Sequence, residues 1–258
     1  TPCGTLFPYT TLFRSIAMLR RIAGDRSIWL AGGPVRDLLL NLPPHDWDFV
    51  VVSGGLSLAR KVADTMGGAY YPLDRERGIG RVIIRRSGDE GEADAALSAE
   101  EPTEITLDFA ELRAPDIDSD LQARDFTINA MALTLEGQLL DPTGGLDDLA
   151  AGRLQLTHAG AFRADPARLL RAIRQAHQFA FEIAPETRSQ LRTDAALITQ
   201  VSPERVAEEL VKIMTLARVA QALHDIAALG LLPHILPALV PATTPGEPVP
   251  NLWGHQRA

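Results

Sequence analysis

The chain has 258 residues and very little cysteine: Cys3 is the only one. A single cysteine excludes an intrachain disulfide framework. The sequence also lacks an apolar run of membrane-spanning length. No secretory signal is recognisable in the residues present, because Arg14, Arg20 and Arg21 interrupt the first apolar stretch. An excess of positive charge is missing too. The formal net charge is −8, so charge alone does not advertise nucleic-acid binding, although a basic stripe can lie on an acidic protein. The six histidines are scattered and have no zinc-site spacing. There is no internal repeat. What remains is an ordinary globular composition, 46% hydrophobic and 22% charged, long enough for one large or two modest domains.

Both ends look foreign to a natural domain. Thr5-Leu6-Phe7-Pro8-Tyr9-Thr10-Thr11-Leu12-Phe13-Arg14-Ser15 resembles a translated short-read sequencing adapter. Residues 1–15 are therefore set apart from the fold. Cys3 goes with them, which leaves a chain without thiol chemistry and fits a reducing cytoplasm. Pro241 to Pro250 is rich in Pro, Gly and Thr, and the chain stops at Gly254-His255-Gln256-Arg257-Ala258. The expectation is a piece of a longer protein.

Between those ends the first half alternates strands and helices. Ile16–Gly24 reads as a short amphipathic helix closed by glycine. Ser27–Leu30 reads as a strand, Val35–Leu40 as a helix begun by Pro34, with Asn41 taking the left-handed conformation that ends it. Asp46–Val52 is the next strand and Leu56–Met66 the next helix. Strands are expected at Ala69–Leu73, Gly80–Arg85 and Glu104–Leu112. Ser87–Glu101 is polar, acidic and alanine-rich, a mobile loop by composition. A helix is expected over Leu121–Ala132, followed by two short strands around Gly137. From Ala159 onward the pattern is helical: Pro166–Phe181, Pro185–Thr199, Pro203–Leu216 and Val219–Leu229.

The chemistry concentrates early. Asp46 and Asp48 are two apart in a strand, so they share a face, with Trp47 on the other. Paired carboxylates suit a hard cation such as Mg²⁺. The Gly32-Gly33 turn and the helix behind it offer N–H groups to a phosphate. Either feature alone is an ordinary turn or an ordinary surface Asp-x-Asp; together on turn, helix and strand they suggest nucleotidyl transfer. Two-metal phosphoryl transfer calls for another carboxylate, and Asp108 in Ile105–Arg113 is the best candidate, on a strand able to lie beside that of Asp46.

Gly32-Gly33-Pro34-Val35-Arg36-Asp37 with Asp46-Trp47-Asp48 resembles the first signature of the class II tRNA nucleotidyltransferase and bacterial poly(A) polymerase family. Arg124-Asp125-Phe126-Thr127-Ile128-Asn129-Ala130-Met131-Ala132 resembles its second, and Asp141-Pro142-Thr143-Gly144-Gly145-Leu146-Asp147-Asp148-Leu149 its connector. Asp165-Pro166-Ala167-Arg168-Leu169-Leu170-Arg171-Ala172-Ile173-Arg174 is similar to the nucleotide-selecting helix, and Ser202-Pro203-Glu204-Arg205-Val206-Ala207-Glu208-Glu209-Leu210 to the last signature. The resemblance runs from about Ile28 to Leu239 and keeps the family's motif order.

The resemblance implies an α+β fold: a polymerase-β-like head with a small mixed sheet over 16–157, an all-α neck over 158–215 and the start of a helical body over 216–258. It implies that Asp46, Asp48 and Asp108 are catalytic and hold Mg²⁺. Gly32, Gly33 and Arg36 match the triphosphate-holding turn, and Arg124, Asp125 and Asn129 the segment along ribose and phosphates. Asp165 and Arg168 match the pair that reads the incoming base. Arg171 and Arg174 continue that helical face, toward phosphates or as a solvated basic stripe. The implied partners are the tRNA 3′ end, CTP and ATP, in the cytoplasm and away from any membrane. The implied reaction is addition of C and A. Relatives that add only CC, only A, or poly(A) are the alternatives, as is a fragment that binds nucleotide without extending tRNA.

Asp165 and Arg168 also have a logic of their own. They lie at i and i+3, neighbours on a helix, one acceptor-only and the other donor-only. Asp165 can accept from the amino group of cytosine or adenine while Arg168 donates to a ring acceptor. Uracil and guanine present a carbonyl there, and an unpaired polar group costs roughly 1–3 kcal/mol. The plain alternative is a surface ion pair. Three positions depart from the family pattern: Ala123 where an arginine is common, Ala164 where glutamate is usual, and Asn41 where glycine is usual. Ala164 removes a carboxylate that would help orient Arg168. His224-Asp225 is a lone HD dipeptide without further ligands at suitable spacing.

Overall fold

A computed structural model describes residues 10–44, 46–85 and 104–237, with side chains from residue 16. Cys3, His45, the acidic segment Ser87–Glu101 and the Pro241–Pro250 stretch lie outside the described residues. The chain divides into two compact units, Thr1–Leu146 and Asp147–Ala258. The division falls earlier than the 157/158 boundary read from the sequence.

The first unit carries a seven-stranded sheet. Its elements are helix α1 (Thr10–Ala23), strand β1 (Ile28–Ala31), helix α2 (Gly33–Leu39), strand β2 (Asp46–Val51), helix α3 (Gly55–Met66), strands β3 (Ala69–Asp74), β4 (Ile79–Arg85) and β5 (Glu104–Glu111), helix α4 (Ile117–Gln122), and strands β6 (Ala132–Thr134) and β7 (Leu139–Leu140). α1 takes in Thr10–Ser15, the end of the adapter-like segment. The order across the sheet is β3-β4-β5-β2-β1-β6-β7, with β2 and β5 parallel and the other pairs antiparallel.

Period-two alternation explains the two faces. Phe49, Leu107 and Phe109 are buried on one side, with Phe49 stacked on Phe109 at 5.3 Å. α3 supplies Leu58, Ala59, Val62 and Ala63 as its buried stripe, the spacing of one helical face. Glu111 at the end of β5 accepts from the amides of Gly54 and Gly55 at 2.8 and 3.1 Å, satisfying the first donors of α3. On the other face a small core gathers Ala31, Val50, Leu121, Ala130 and Ala132. Asn41 ends α2 with φ 56°, the left-handed conformation expected of it.

The helix expected over Leu121–Ala132 does not form. α4 begins earlier, capped by the Asp116 side chain, which accepts from Ser119 N at 2.8 Å, and ends at Gln122. Phe126 is extended, and a single 3₁₀ turn spans Thr127–Asn129. The cause is local. The Asp125 carboxylate accepts from the Phe126 amide at 2.8 Å, the side-chain competition that breaks helices. Every residue from Asp125 to Leu133 is buried, so no solvent face exists to give a helical period. Downstream, Gly145 packs so closely on the Thr127 carbonyl that a Cβ there would collide with it, and Asp141 accepts from the amides of Gly145 and Leu146 at 2.7 and 2.9 Å.

The second unit is mainly helical. Helix α5 (Gly145–Ala150) crosses the division and is followed by strand β8 (Arg153–Leu154), helices α6 (Ala161–Ala164) and α7 (Arg168–Phe179), strand β9 (Glu182–Ile183), and helices α8 (Pro185–Asp194), α9 (Pro203–Met214), α10 (Val219–Ala228) and α11 (Leu232–Ile235). The expected all-α neck thus contains one strand, β9, parallel to β8. Ala180 at φ 57° stops α7 and turns the chain into it. Of the His224-Asp225 dipeptide, Asp225 is structural: it meets His177 Nε2 at 2.9 Å and Arg188 at 3.5 Å, tying α10 to α7 and α8. No described helix is long and apolar enough to cross a membrane.

Candidate active site

β2 places Asp46 and Asp48 on the face opposite Phe49. The parallel register sets Asp48 directly against Asp108 of β5, and Asp46 against Thr106. Partners in register share a face, so the three carboxylates stand on one side of two neighbouring strands. Burial pushes the Asp48 carboxyl up to about 6, and the nearby negative charge of Asp108 adds to the rise. A carboxylate raised by burial and by another carboxylate marks a functional-site candidate.

Arg81 of β4 lies opposite Asp108 in the antiparallel register. Its Nε donates to Oδ1 at 2.8 Å and its Nη2 to Oδ2 at 2.7 Å. This bidentate pair raises the pKa of Arg81. Sequence reasoning missed Arg81, since only the strand register brings it to Asp108. The three carboxylates suit a hard divalent ion in kind and share one face. They are not gathered around one: among the described residues no group of three or more His, Cys, Asp or Glu could hold a metal ion. Both Asp108 oxygens point to a guanidinium instead.

The residues of the first and second signatures meet at Gly32. That residue has φ +82°, and a Cβ there would lie 2.6 Å from Arg124 Nη1. Only glycine combines that backbone with that approach. Arg124 is steadied by Asp120, whose Oδ2 accepts from Nη2 at 3.3 Å while Oδ1 accepts from the Arg113 amide at 3.0 Å. Asp120 was not visible as a partner in the sequence. Arg36 donates to Asn129 Oδ1 at 2.6 Å and to Asp37 Oδ1 at 2.9 and 2.7 Å. Asn129 Nδ2 donates in turn to Asp125 Oδ1 at 3.0 Å. Gly32, Arg36, Arg124, Asp125 and Asn129 are therefore one connected group, with Gly33 beside Arg36 Nη2. The Gly32 amide donates to the Met131 carbonyl at 3.0 Å. That amide is committed to the fold, a correction to reading the whole glycine turn as phosphate donors.

In the second unit Asp165 stands just before α7. Burial acts to raise its pKa, but the hydrogen bond and charge of Arg205 outweigh it and the net shift is downward. Arg205 Nη2 reaches both oxygens at 3.0 and 2.9 Å. Arg168 Nη1 donates to the Ala161 carbonyl at 3.2 Å, so a backbone acceptor on α6 orients it in the absence of a carboxylate at Ala164. Arg174 Nε donates to the buried Glu209 of α9 at 2.7 Å, with Arg171 Nε 3.7 Å from the same carboxylate. These two arginines face α9 carboxylate oxygens rather than forming a solvated stripe.

Comparison with known proteins identifies the family. The poly A polymerase head domain family matches residues 28–155, and the family described as the probable RNA and SrmB-binding site of polymerase A matches residues 180–243. A CC-adding tRNA nucleotidyltransferase of Geobacter sulfurreducens is 41% identical over 202 residues, covering 78% of this chain and 43% of that protein. An A-adding tRNA nucleotidyltransferase of Deinococcus radiodurans is 34% identical over 215 residues, covering 81% and 45%. This chain thus spans less than half the length of either. A solved CCA-adding enzyme in complex with ATP superposes with TM-score 0.80 at 26% identity, covering 94% of this chain and 57% of that one. A Thermotoga maritima CCA-adding enzyme complexed with tRNA-CCA gives TM-score 0.75 at 29% identity, covering 91% and 53%. With these two family matches and these relatives, the chain belongs to the tRNA nucleotidyltransferase and poly(A) polymerase family.

Proposed function

We propose that the chain carries the catalytic machinery for adding C and A, from CTP and ATP, to the 3′ end of tRNA in the cytoplasm. The observation that carries the reading is the strand register that sets Asp48 opposite Asp108, with Asp46 on the same face. Asp46 and Asp48, joined by Asp108, would hold two Mg²⁺. Bound there, Mg²⁺ supplies a more acidic primer hydroxyl and charge neutralisation for the leaving pyrophosphate. Arg36 and Arg124, braced by Asn129 and Asp120, present cationic groups to the triphosphate beside Gly32 and Gly33. Asp125 holds Asn129 in place for the ribose. Arg205 keeps Asp165 ionised, an acceptor for the amino group of cytosine or adenine, and Arg168 donates to the ring acceptor. Arg171 and Arg174 contribute positive charge behind that pair.

The test uses tRNAs ending before the first C, after C and after CC, each with labelled CTP or ATP. Incorporation of C on the first two and A on the third supports the proposal. C alone or A alone transfers it to the narrower outputs carried by the two named relatives. Nucleotide binding with no extension reduces it to a nucleotide-binding unit. Asp46→Ala is expected to lower incorporation at least about 1,000-fold, a loss of some 4 kcal/mol of transition-state stabilisation. Incorporation within tenfold of the unmodified chain would remove the metal assignment.

A further inference from the structure

Two arginines project from β4 toward carboxylates on β5. Arg85 meets Glu104 at 2.9 Å in the open, its side chain 81% exposed, while Arg81 meets Asp108 with side chains 35% and 16% exposed. The inner pair is placed differently in the sheet. The registers of β3 with β4, β4 with β5 and β5 with β2 set Tyr71, Arg81, Asp108 and Asp48 in one row on one face. Arg81 therefore flanks Asp108 on one side and Asp48 flanks it on the other.

A carboxylate offers about four lone-pair positions, and a guanidinium fork takes one on each oxygen. A divalent ion seeks the same oxygens and is repelled by a fixed positive charge beside them. Asp108 cannot serve both cations fully. We infer that Arg81 is a competing internal cation for Asp108: it holds this carboxylate in the absence of a divalent ion and is displaced when one binds. The inference rests on the reading of Asp108 as a metal ligand. It separates the carboxylates by role. Asp46 and Asp48 supply the standing negative charge that attracts the ion, and Asp108 joins only by exchanging partners. Arg81, once displaced, remains beside the carboxylates, and an arriving triphosphate offers it a second bidentate partner. Metal and nucleotide then favour each other's binding, because the nucleotide compensates the arginine that the metal releases.

Mn²⁺ affinity measured by electron paramagnetic resonance on the whole chain, without nucleotide, tests this directly. Arg81→Gln is expected to tighten Mn²⁺ binding about fivefold, because the ion no longer has to free the Asp108 oxygens from the guanidinium fork. Arg81→Lys, which keeps the charge and loses the fork, falls between that variant and the unmodified chain. Asp108→Asn weakens Mn²⁺ binding, and adding Arg81→Gln to it produces no further tightening, because the competition acts through Asp108. Unchanged or weaker Mn²⁺ binding in both Arg81 variants, with Asp108→Asn still weakening it, overturns the inference and leaves the metal reading standing. Unchanged binding in Asp108→Asn removes the metal reading itself. Tightening by Arg81→Gln that persists in the Asp108→Asn background reduces Arg81 to a general charge effect and also overturns the inference. Thermal melts on each variant confirm that the sheet is intact.

Discussion

The helical unit and the carboxylate row on the sheet of the first unit handle charge differently. In the helical unit carboxylates are matched to cations from other segments: Glu209 of α9 to Arg174 of α7, Asp225 of α10 to Arg188 of α8, and Asp165 before α7 to Arg205 of α9. These pairs cross between segments and fix how they lie. On the sheet of the first unit the carboxylates face each other. Asp48 stands against Asp108, and burial, with the negative charge of Asp108 added to it, raises its pKa to about 6. One arrangement ties segments together, and the other keeps a buried carboxylate beside a second one, at a cost in its ionised form. A large cost is therefore expected from removing a cation in the helical unit and a gain from removing a carboxylate on the sheet.

The largest stability effect is expected at Arg174. Its partner Glu209 has a side chain only 7% exposed, and the nearest remaining cations are Arg171 at 3.7 Å and Lys212 at 4.0 Å. Arg174→Ala leaves a buried carboxylate poorly compensated, a loss of about 3 kcal/mol by urea denaturation. The pair Arg174→Met with Glu209→Met removes both charges and should recover most of that loss. The KM for CTP in this double variant then separates the two roles of Arg174. A KM near that of the unmodified chain makes it a fold residue, and a rise of tenfold or more gives it a phosphate contact as well.

The opposite sign is expected at Asp48. Its folded pKa lies above the ordinary value of 3.8. A group raised in the folded state contributes stability that is fully present below the unfolded value and is lost as pH climbs through about 6. Asp48→Asn abolishes that loss. Its melting temperature relative to the unmodified chain, in EDTA, should climb between pH 4 and pH 7 and level off above, with a free-energy gain of about 3 kcal/mol at the plateau. A difference that stays flat across that range would show that neither burial nor the charge of Asp108 raises the Asp48 carboxyl. Saturating Mg²⁺ should shrink the gain, because the unmodified chain then has its cation.

Most of the sheet was legible from the chain alone because its strands are half-buried and alternate, as in Asp46-Trp47-Asp48-Phe49. The boundaries of β2, α3, β4 and β5 fall within a residue or two of expectation. The segment after α4 was not legible. Phe126, Ile128, Ala130 and Ala132 alternate with Thr127, Asn129 and Met131, yet both sets are buried, and burial on all sides erases the period that marks a helix. Motif residues were found where chemistry demands a residue type: glycine against the Arg124 guanidinium, paired aspartates on a strand. Their partners were not. Arg81, Asp120 and Arg205 contact Asp108, Arg124 and Asp165. Two of those contacts depend on long-range pairing, and the Asp120–Arg124 contact, at i,i+4, joins α4 to a residue just past its end, at a place where the sequence suggested a helix beginning only at Leu121.

The smallest effect is expected at Arg85, and it sharpens the contrast between the two arginines of β4. Arg85 and Arg81 both pair with a carboxylate of β5, at 2.9 and 2.7 Å. Distance alone would rank them alike. Exposure separates them, because an ion pair open to water gains little over its hydrated charges and must hold two long side chains still. Arg85→Gln should leave the melting temperature within experimental error and the Mn²⁺ affinity unchanged, while Arg81→Gln moves that affinity. Equal shifts from both substitutions would mean that the strand edge acts as a diffuse positive field. A shift at Arg81 alone locates the effect in the row of Tyr71, Arg81, Asp108 and Asp48, where one guanidinium and two carboxylates occupy neighbouring strands.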